Sequence, residues 1–319
     1  MSAPELVIVT PALASANNGN WQTAKRWAKF LSSDYRVRLV ERWERGDEAA
    51  MIALHARRSA ASVAAWKAAH PRRPLLLVLT GTDLYRDITS DAQAQASLAL
   101  ADKLVVLNEL GIDELPPPLR AKASVCLQSS PSRVTLAKPT RHLRALMVGH
   151  LREEKSPRTY FDAARALAAR SDIELDHIGA PLDAELGAEA RALMNACPHY
   201  HWLGALPHGS TRRRIQGAHV LVHASRMEGG AHVVIEAVVS GTPVIASRIP
   251  GNLGLLGADY AGCFDWGDAT ALAALLERAH DDAAMLPALI AQCALRAPLF
   301  QPEAERRRLP SLLSNIPIS

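Results

Sequence analysis

The stretch from His219 to Gly251 constrains the chain more than any other. It reads His-Val-Leu-Val-His-Ala-Ser-Arg-Met-Glu-Gly-Gly-Ala-His-Val-Val-Ile-Glu-Ala-Val-Val-Ser-Gly-Thr-Pro-Val-Ile-Ala-Ser-Arg-Ile-Pro-Gly. The β-branched run Val220 to Val222 predicts a short buried strand. A helical period begins after Gly229-Gly230, with Val233, Val234, Ala237 and Val238 on a packing face. Gly241 then stops the helix, and a second apolar strand follows. A helix reached by a glycine turn from the carboxyl end of a strand points unpaired N–H groups, and the positive end of its dipole, at one spot. That spot suits an anion, typically a phosphate. Glu228 precedes the glycines and Glu236 lies about two turns into the helix, with seven residues between them.

The rest of the chain repeats strand-helix units. Leu6 to Val9 is a strand that runs into the amide-rich loop Ala16-Asn17-Asn18-Gly19-Asn20. A helix with Trp21, Ala24, Trp27, Ala28 and Leu31 at one spacing follows. Tyr35 to Val40, Met51 to His55, Pro74 to Leu79, Lys103 to Leu107 and Ser124 to Leu127 read as further strands, with helices over Ser59 to His70 and Asp91 to Ala101. Periodicity lapses between Ser129 and Thr140, which marks a linker. The pattern then restarts. Strands fall at Leu143 to Val148, Ile173 to Ile178 and Tyr200 to Leu203. Helices fall at Pro157 to Ala169, capped by Ser156, at Leu182 to Asn195, at Ser210 to Gln216 and along the tail from Ala269 to Leu299.

Units of this kind imply an α/β fold of two Rossmann-like domains with parallel sheets. The expected domains are 1–138 and 139–319, with a last helix able to pack back on the first domain. Ligands of open parallel sheets bind beyond the carboxyl ends of the strands, so two facing domains are expected to form one interdomain cleft.

With 319 residues and 49% hydrophobic content, there is enough apolar material to fill two cores. The net charge of +4 is spread along the chain without interleaved aromatics, which favours small anionic ligands over nucleic acid. Cys126, Cys197, Cys263 and Cys293 are far apart and read as buried reduced thiols. No apolar stretch reaches the roughly 18 residues of a membrane span, and no leader pattern opens the sequence, so a cytoplasmic protein with no membrane partner is expected. There is no Asp-x-Asp pair or close His/Cys cluster to hold a metal, and neither nucleotide-binding glycine fingerprint is present. The expectation is therefore a reaction without metal or cofactor.

Several segments carry candidate chemistry. Gly149-His150-Leu151-Arg152-Glu153-Glu154-Lys155 is the first strand-to-helix loop of the second domain. It reads either as a solvated charged loop or, together with Gly229 and Gly230, as a diphosphate site. In the second reading Lys155 supplies a point charge and His150 or Arg152 hydrogen-bonds the departing phosphate. Asn18, Gly19 and Asn20 are either a turn with a helix cap or ligand contacts. His55, Arg57 and Arg58 end a strand and are either structural or a second anion site. Thr82 and Asp83 have an equally plain turn-forming role, and Asn108, Gln128, Ser129 and Ser130 carry a weaker signal still.

On these residues the second domain resembles the family-four glycosyltransferases of the GT-B fold. Gly149 to Lys155, Glu228 to Glu236 and Ser240-Gly241-Thr242-Pro243-Val244-Ile245 match that family's signatures in order and spacing. The resemblance implies a nucleotide-sugar donor, with Lys155 at the diphosphate and the backbone amides of Ala231, His232 and Val233 beside it. It further implies Glu236 on the ribose hydroxyls and Glu228 near the donor sugar. The family usually carries Arg where this chain has His150, with Arg152 two residues on. The whole chain also resembles the selenosugar synthases (SenB type) of selenoneine biosynthesis, in Ala16-Asn-Asn-Gly-Asn-Trp-Gln-Thr23, Leu79-Thr-Gly-Thr-Asp-Leu-Tyr-Arg86 and Met227-Glu-Gly-Gly-Ala-His-Val233. That implies transfer from a UDP-sugar, UDP-N-acetylglucosamine above others, to selenophosphate. The candidate catalytic residues are Glu228, Lys155 and His55, and since so small and charged an acceptor needs cations and amide or hydroxyl donors, the candidate acceptor contacts are Asn18, Gly19, Asn20, Arg57, Arg58 and Thr82. A hydroxyl-acceptor glycosyltransferase, a catalytically silent nucleotide-sugar binder and a UDP-sugar epimerase remain open beside it.

Overall fold

A computed structural model describes residues 3–13 and 19–314. The chain divides into two compact units. The first comprises Met1–Ser129, Glu228–Gly230 and Pro302–Ser319, and the second Ser130–Met227 and Ala231–Gln301. The division falls at Ser129/Ser130 rather than at 138/139 because the backbone beyond it is hydrogen-bonded within the second unit. Leu136 N–H donates to Gln216 O at 3.1 Å, and Arg133 N–H to Val239 O at 3.3 Å.

In the first unit six strands, β1 (Glu5–Val9), β2 (Arg36–Val40), β3 (Ala50–Leu54), β4 (Leu75–Leu79), β5 (Lys103–Val106) and β6 (Ala123–Val125), form one parallel sheet in the order β2-β1-β3-β4-β5-β6. The apolar runs β3 and β4 are buried along their whole length. Alternation divides them between two cores. Val7, Val9, Met51, Ala53, Leu75 and Leu77 face one core with Trp66, and Leu6, Ile8, Ile52, Leu54, Leu76 and Val78 face the other with Trp27. Helix α1 (Gly19–Leu31) lays Ala24, Trp27 and Leu31 into the second core, as its 3.6-residue spacing requires. Helix α2 (Ala60–Ala69) and helix α3 (Ala92–Leu100), the latter capped by Asp91 accepting from Ala94 N–H at 2.8 Å, complete this part of the unit.

The second unit repeats the architecture. Its sheet runs β12-β11-β10-β7-β8-β9. The strands are β7 (Leu143–Val148), β8 (Ile173–Ile178), β9 (Tyr200–Trp202), β10 (Val220–His223), β11 (Val244–Ser247) and β12 (Cys263–Phe264). The helices are α4 (Pro157–Ala166), α5 (Ala184–Ala196), α6 (His208–Gly217), α7 (His232–Val238), α8 (Pro250–Leu256), α9 (Ala269–Asp281) and α10 (Met285–Arg296). Helix α7 buries Val234, Ile235, Ala237 and Val238, while Val233 is half-buried, so the packing face is turned by one residue from the expected one. Gly241 takes φ +70° beyond its end, a conformation that suits glycine. The helical tail breaks between Asp281 and Met285, and no single helix among the described residues is long and apolar enough to cross a membrane. All four cysteines are buried and free.

Helix α11 (Pro302–Ser314) groups with the first unit, where Leu309, Leu312 and Leu313 enter the core beside Trp27. Its buried Glu305 accepts from Arg26 Nε at 2.8 Å, Trp27 Nε1 at 2.6 Å and Ser129 N–H at 2.8 Å.

Candidate functional site

In each sheet the chain leaves in opposite directions from two adjacent parallel strands, which opens a crevice beyond their carboxyl ends. In the second unit those neighbours are β7 and β10, paired Ala145 to Val220, Leu146 to Leu221 and Met147 to Val222. The loops that emerge there are Gly149–Lys155 and the segment leaving β10, the two expected to handle the donor.

The first loop is held from below. Gly149 N–H donates to Ile178 O at 2.9 Å, and Leu151 N–H to Ala180 O at 2.9 Å. A Cβ on Gly179 would lie 1.9 Å from Gly149 O, so this approach needs glycine at 179. His177 Nε2 lies 3.2 Å from Gly149 O, and its Nδ1 lies 3.0 Å from the Tyr200 hydroxyl. Burial pushes the His177 pKa down to about 4 against the pull of the Gly149 carbonyl, so the ring is neutral and donates through Nε2.

His150 is exposed at the head of the loop, and its Nδ1 accepts from Ala180 N–H at 3.0 Å. Desolvation, with the charges of Arg152 and Lys155, lowers its pKa. Its remaining proton is therefore on Nε2, available as a neutral donor. Arg152 is exposed, its Nε 4.0 Å from Glu154 Oε2. Lys155 ends a 3-10 turn, Glu153–Lys155, and its aliphatic stem passes 3.5 Å from where a Cβ on Gly149 would stand. The loop is an ordered turn carrying Lys155 above Gly149, with His150, Arg152 and Glu153 exposed along it.

Ser156 occupies the cap position of α4 with Pro157 at the first helical position, but its side chain makes no cap bond. Its backbone is left-handed, φ 49° and ψ 51°, and its Oγ instead accepts from Trp266 Nε1 at 2.8 Å. The left-handed backbone turns the hydroxyl away from the α4 amides.

Ala231 precedes α7, and His232 and Val233 begin it, so their N–H groups belong to the first turn, which has no intrahelical acceptors. Glu236, 2% exposed, sits among His208, Arg212 and His232. Its Oε1 lies 2.6 Å from His208 Nε2, 3.4 Å from Arg212 Nη1 and 3.4 Å from His232 Nδ1. Burial raises the Glu236 carboxyl, yet the hydrogen bonds from His208 and His232 and the nearby charges outweigh it and hold the pKa at about 2. The same contact raises the His208 pKa. His208 and Arg212 carry no signal in the sequence beyond their type, because α6 brings them to Glu236 across 28 and 24 residues of chain.

In the first unit the diverging neighbours are β1 and β3. The loop after β1 holds Asn17 and Asn18, which lie outside the described residues. Gly19 is exposed and Asn20 half-buried at the start of α1. His55 leaves β3 with φ 75°, a conformation that costs a side-chain-bearing residue about 1–2 kcal/mol and clusters at functional sites. Its Nδ1 lies 3.4 Å from Arg58 N–H and its Nε2 3.2 Å from Thr82 Oγ1. With Nδ1 accepting, the ring is an N–H donor rather than a base, and burial lowers its pKa against the attraction of Asp83. The Thr82 hydroxyl proton is then directed elsewhere. Arg57 Nε stands 3.0 Å from Asp87 Oδ2, and Arg58 is exposed. Asp83 is a turn former in full, accepting from Thr80 N–H, Gly81 N–H and Ala56 N–H at 2.9 Å each.

Glu228, Gly229 and Gly230 group with this unit. A Cβ on Gly229 would come within 2.4 Å of the Thr80 carbonyl carbon, and one on Gly230 within 2.9 Å of Leu107 Cβ. Asn108 Nδ2 donates to Gly229 O at 2.8 Å and to the Tyr85 hydroxyl at 2.9 Å. Gly229 is therefore required by backbone approach and Gly230 by the close packing of Leu107 and Gln128 side chains, and Asn108 has a definite partner.

Two sheets of this order, each followed by helices, are the fold of the GT-B glycosyltransferases. Residues 129–293, more than half of the chain, match the family model for glycosyl transferases group 1, and the chain belongs to that family. It is a glycosyltransferase. Among solved structures it is similar to sucrose-phosphate synthase of Thermosynechococcus elongatus, at 17% identity and TM-score 0.79 over 98% of both chains. It is similar as well to Anabaena HepE in complex with UDP-glucose, at 14% identity and TM-score 0.75 over 98% of this chain and 99% of that one. The pneumococcal O-GlcNAc transferase GtfA in complex with UDP and GlcNAc matches at 15% identity and TM-score 0.64, over 83% of this chain and 57% of that one. No curated protein sequence matches the chain at a significant level.

Proposed function

We propose that the chain transfers a glycosyl group from a UDP-sugar, UDP-N-acetylglucosamine first among them, to selenophosphate. The observation that carries the donor half is the Lys155 turn, fixed beside Gly149 at the β7/β10 crevice with the neutral donor His150 at its head. The structural relatives solved with UDP, UDP-glucose or GlcNAc support the same choice of donor. The selenium lone pair attacks the anomeric carbon as the bond from that carbon to the UDP oxygen breaks, and the electron pair leaves with UDP. Lys155 and the amides of His232 and Val233 stabilise the charge that grows on the diphosphate, an effect greatest in the transition state. Loss of phosphate from selenium by hydrolysis then gives the 1-selenosugar. Selenophosphate is already an anionic nucleophile, so the reaction needs no strong base, which agrees with a His55 whose Nδ1 is already occupied by Arg58 N–H.

The acceptor half rests on the sequence resemblance and on the strained His55 turn, with Thr82 and the exposed Arg58 as its polar contacts. The reaction is proposed to run in the cytoplasm, without metal, in selenoneine biosynthesis. Incubation with UDP-N-acetylglucosamine and selenophosphate under reducing conditions yields UDP and a selenosugar by mass spectrometry, at a rate unchanged by a chelator. Failure to form either product rejects the proposal. One observation favours a second reading, an ordinary hydroxyl acceptor: Arg57 is engaged by Asp87, which reduces the positive charge offered to an anion. Sugar transfer to a polyol or glycan without selenophosphate would establish that reading.

A further inference from the structure

Lys155 is flanked by two tethers that no general property of a strand-to-helix loop requires. On one side, Glu154 O accepts from Arg226 N–H at 2.9 Å. On the other, Ser156 Oγ accepts from Trp266 Nε1 at 2.8 Å. The two tethers are joined to each other, because the Arg226 guanidinium lies over the Trp266 ring, 5.0 Å from its centroid. Trp266 follows β12 and Arg226 follows β10, two residues before Glu228. The closed circuit therefore runs from the Lys155 turn to the segment leaving β10, the two parts that flank the β7/β10 crevice.

Ser156 shows why such a circuit is needed. A serine at φ 49° is strained, and it offers no cap bond to α4 in compensation. Relaxing it to ordinary negative φ would rotate the preceding peptide and swing Lys155 away from Gly149. The indole N–H opposes that rotation by engaging the hydroxyl. Trp266 is 46% exposed, so it contributes little to the core, and its engagement is with Ser156 and Arg226.

We propose that Trp266, with Arg226 stacked on it, is a positioning residue that locks Ser156 in its left-handed conformation and thereby sets Lys155 for the diphosphate of the donor. The inference rests on the donor reading above. It predicts a specific rescue. Trp266→Phe keeps an aromatic ring for Arg226 but deletes the N–H, so Ser156 relaxes. Ser156→Gly in addition lets the backbone hold φ 49° with no tether, since glycine takes that region without a Cβ clash.

The experiment measures UDP binding by calorimetry for the unaltered chain, Trp266→Phe, Ser156→Gly and the double variant, with thermal melts to confirm folding. Trp266→Phe is expected to bind UDP about fivefold to tenfold more weakly, the scale of one lost hydrogen bond. The double variant is expected to recover to within about twofold of the unaltered chain, while Ser156→Gly alone binds normally. A Trp266→Phe variant that folds and binds UDP as tightly as the unaltered chain overturns the inference and leaves the donor reading intact. So does a weakened Trp266→Phe that glycine at 156 fails to rescue, which would make Trp266 a packing residue only. Absence of UDP binding by the unaltered chain overturns the donor reading and this inference with it. Should Trp266→Phe fail to fold, Arg226→Ala provides the second measurement. It removes the stack while leaving the backbone tether, and is expected to weaken UDP binding by about twofold to fivefold, with no change overturning the brace.

Discussion

Lys155 and Glu236 show how far a residue's type foretells its work. The sequence singles out Lys155 because a lysine in a strand-to-helix loop suits an anion, and the family resemblance puts Glu236 on a ribose, while the structure sets Glu236 about one turn into α7. In the donor role proposed for it, Lys155→Ala should lower turnover by about 10²–10³-fold while leaving the melting temperature nearly unchanged, since the interaction then lost is strongest as UDP departs. A kinetic assay beside a thermal melt checks this, and a fall of less than about tenfold would remove Lys155 from the chemistry. What the sequence hid is the surroundings of Glu236. His208 and Arg212 reach it through the packing of α6 on the sheet, and no local period encodes that approach. The His208 contact has a pH signature. Its pKa is raised in the folded chain, so the stability it contributes is complete below the unfolded value near 6.5 and is lost as pH rises through the raised one. The depressed Glu236 acts oppositely, its contribution present above the unfolded carboxyl pKa of 4.5 and lost only as pH falls towards about 2. His208→Gln should therefore flatten the decline in melting temperature as pH rises above about 6.5 and also weaken the acid limb, because the His208 contact is among those that hold the Glu236 carboxyl down. An unchanged slope would show that His208 does not carry a proton in the folded chain.

Among the elements, strands and helices were the most legible, because burial on both faces of a parallel sheet makes each strand an unbroken apolar run. Leu75 to Leu79 and Ala50 to Leu54 lie within a residue or two of their expected bounds. Caps were less legible, since Ser156 has the right identity and position for one yet gives its hydroxyl to an indole 110 residues away. Helix α11 is set by one residue. Glu305, with no exposed side-chain surface, gathers Arg26, Trp27 and Ser129 around one carboxylate. Glu305→Ala leaves a guanidinium, an indole N–H and a backbone N–H without their acceptor. It should destabilise the first unit by about 3–5 kcal/mol in urea unfolding. A loss under about 1 kcal/mol would mean that the apolar contacts of Leu309, Leu312 and Leu313 suffice to seat the helix.

Across the whole molecule the chain repeats one architecture twice, and each sheet has its own crevice, at β7/β10 and at β1/β3. Repetition of strand-helix units makes that division readable, and a last helix able to pack back on the first domain is expected with it, whereas the grouping of Glu228–Gly230 with the first unit depends on chain crossings that no local pattern encodes. If the second unit takes the donor and the first the acceptor, ligands should protect the chain in two separable steps. UDP at about 100 times its dissociation constant should stabilise the state it binds by about 2.7 kcal/mol and slow amide exchange in the Gly149 to Ser156 loop and the start of α7. Selenophosphate added afterwards should slow exchange at His55 to Arg58 and around Thr82, a segment that UDP alone leaves unchanged. Exchange mass spectrometry with each ligand singly and together reads both steps. Protection of His55 to Arg58 by UDP alone would reassign that strained turn to the donor and leave the acceptor without its proposed residues.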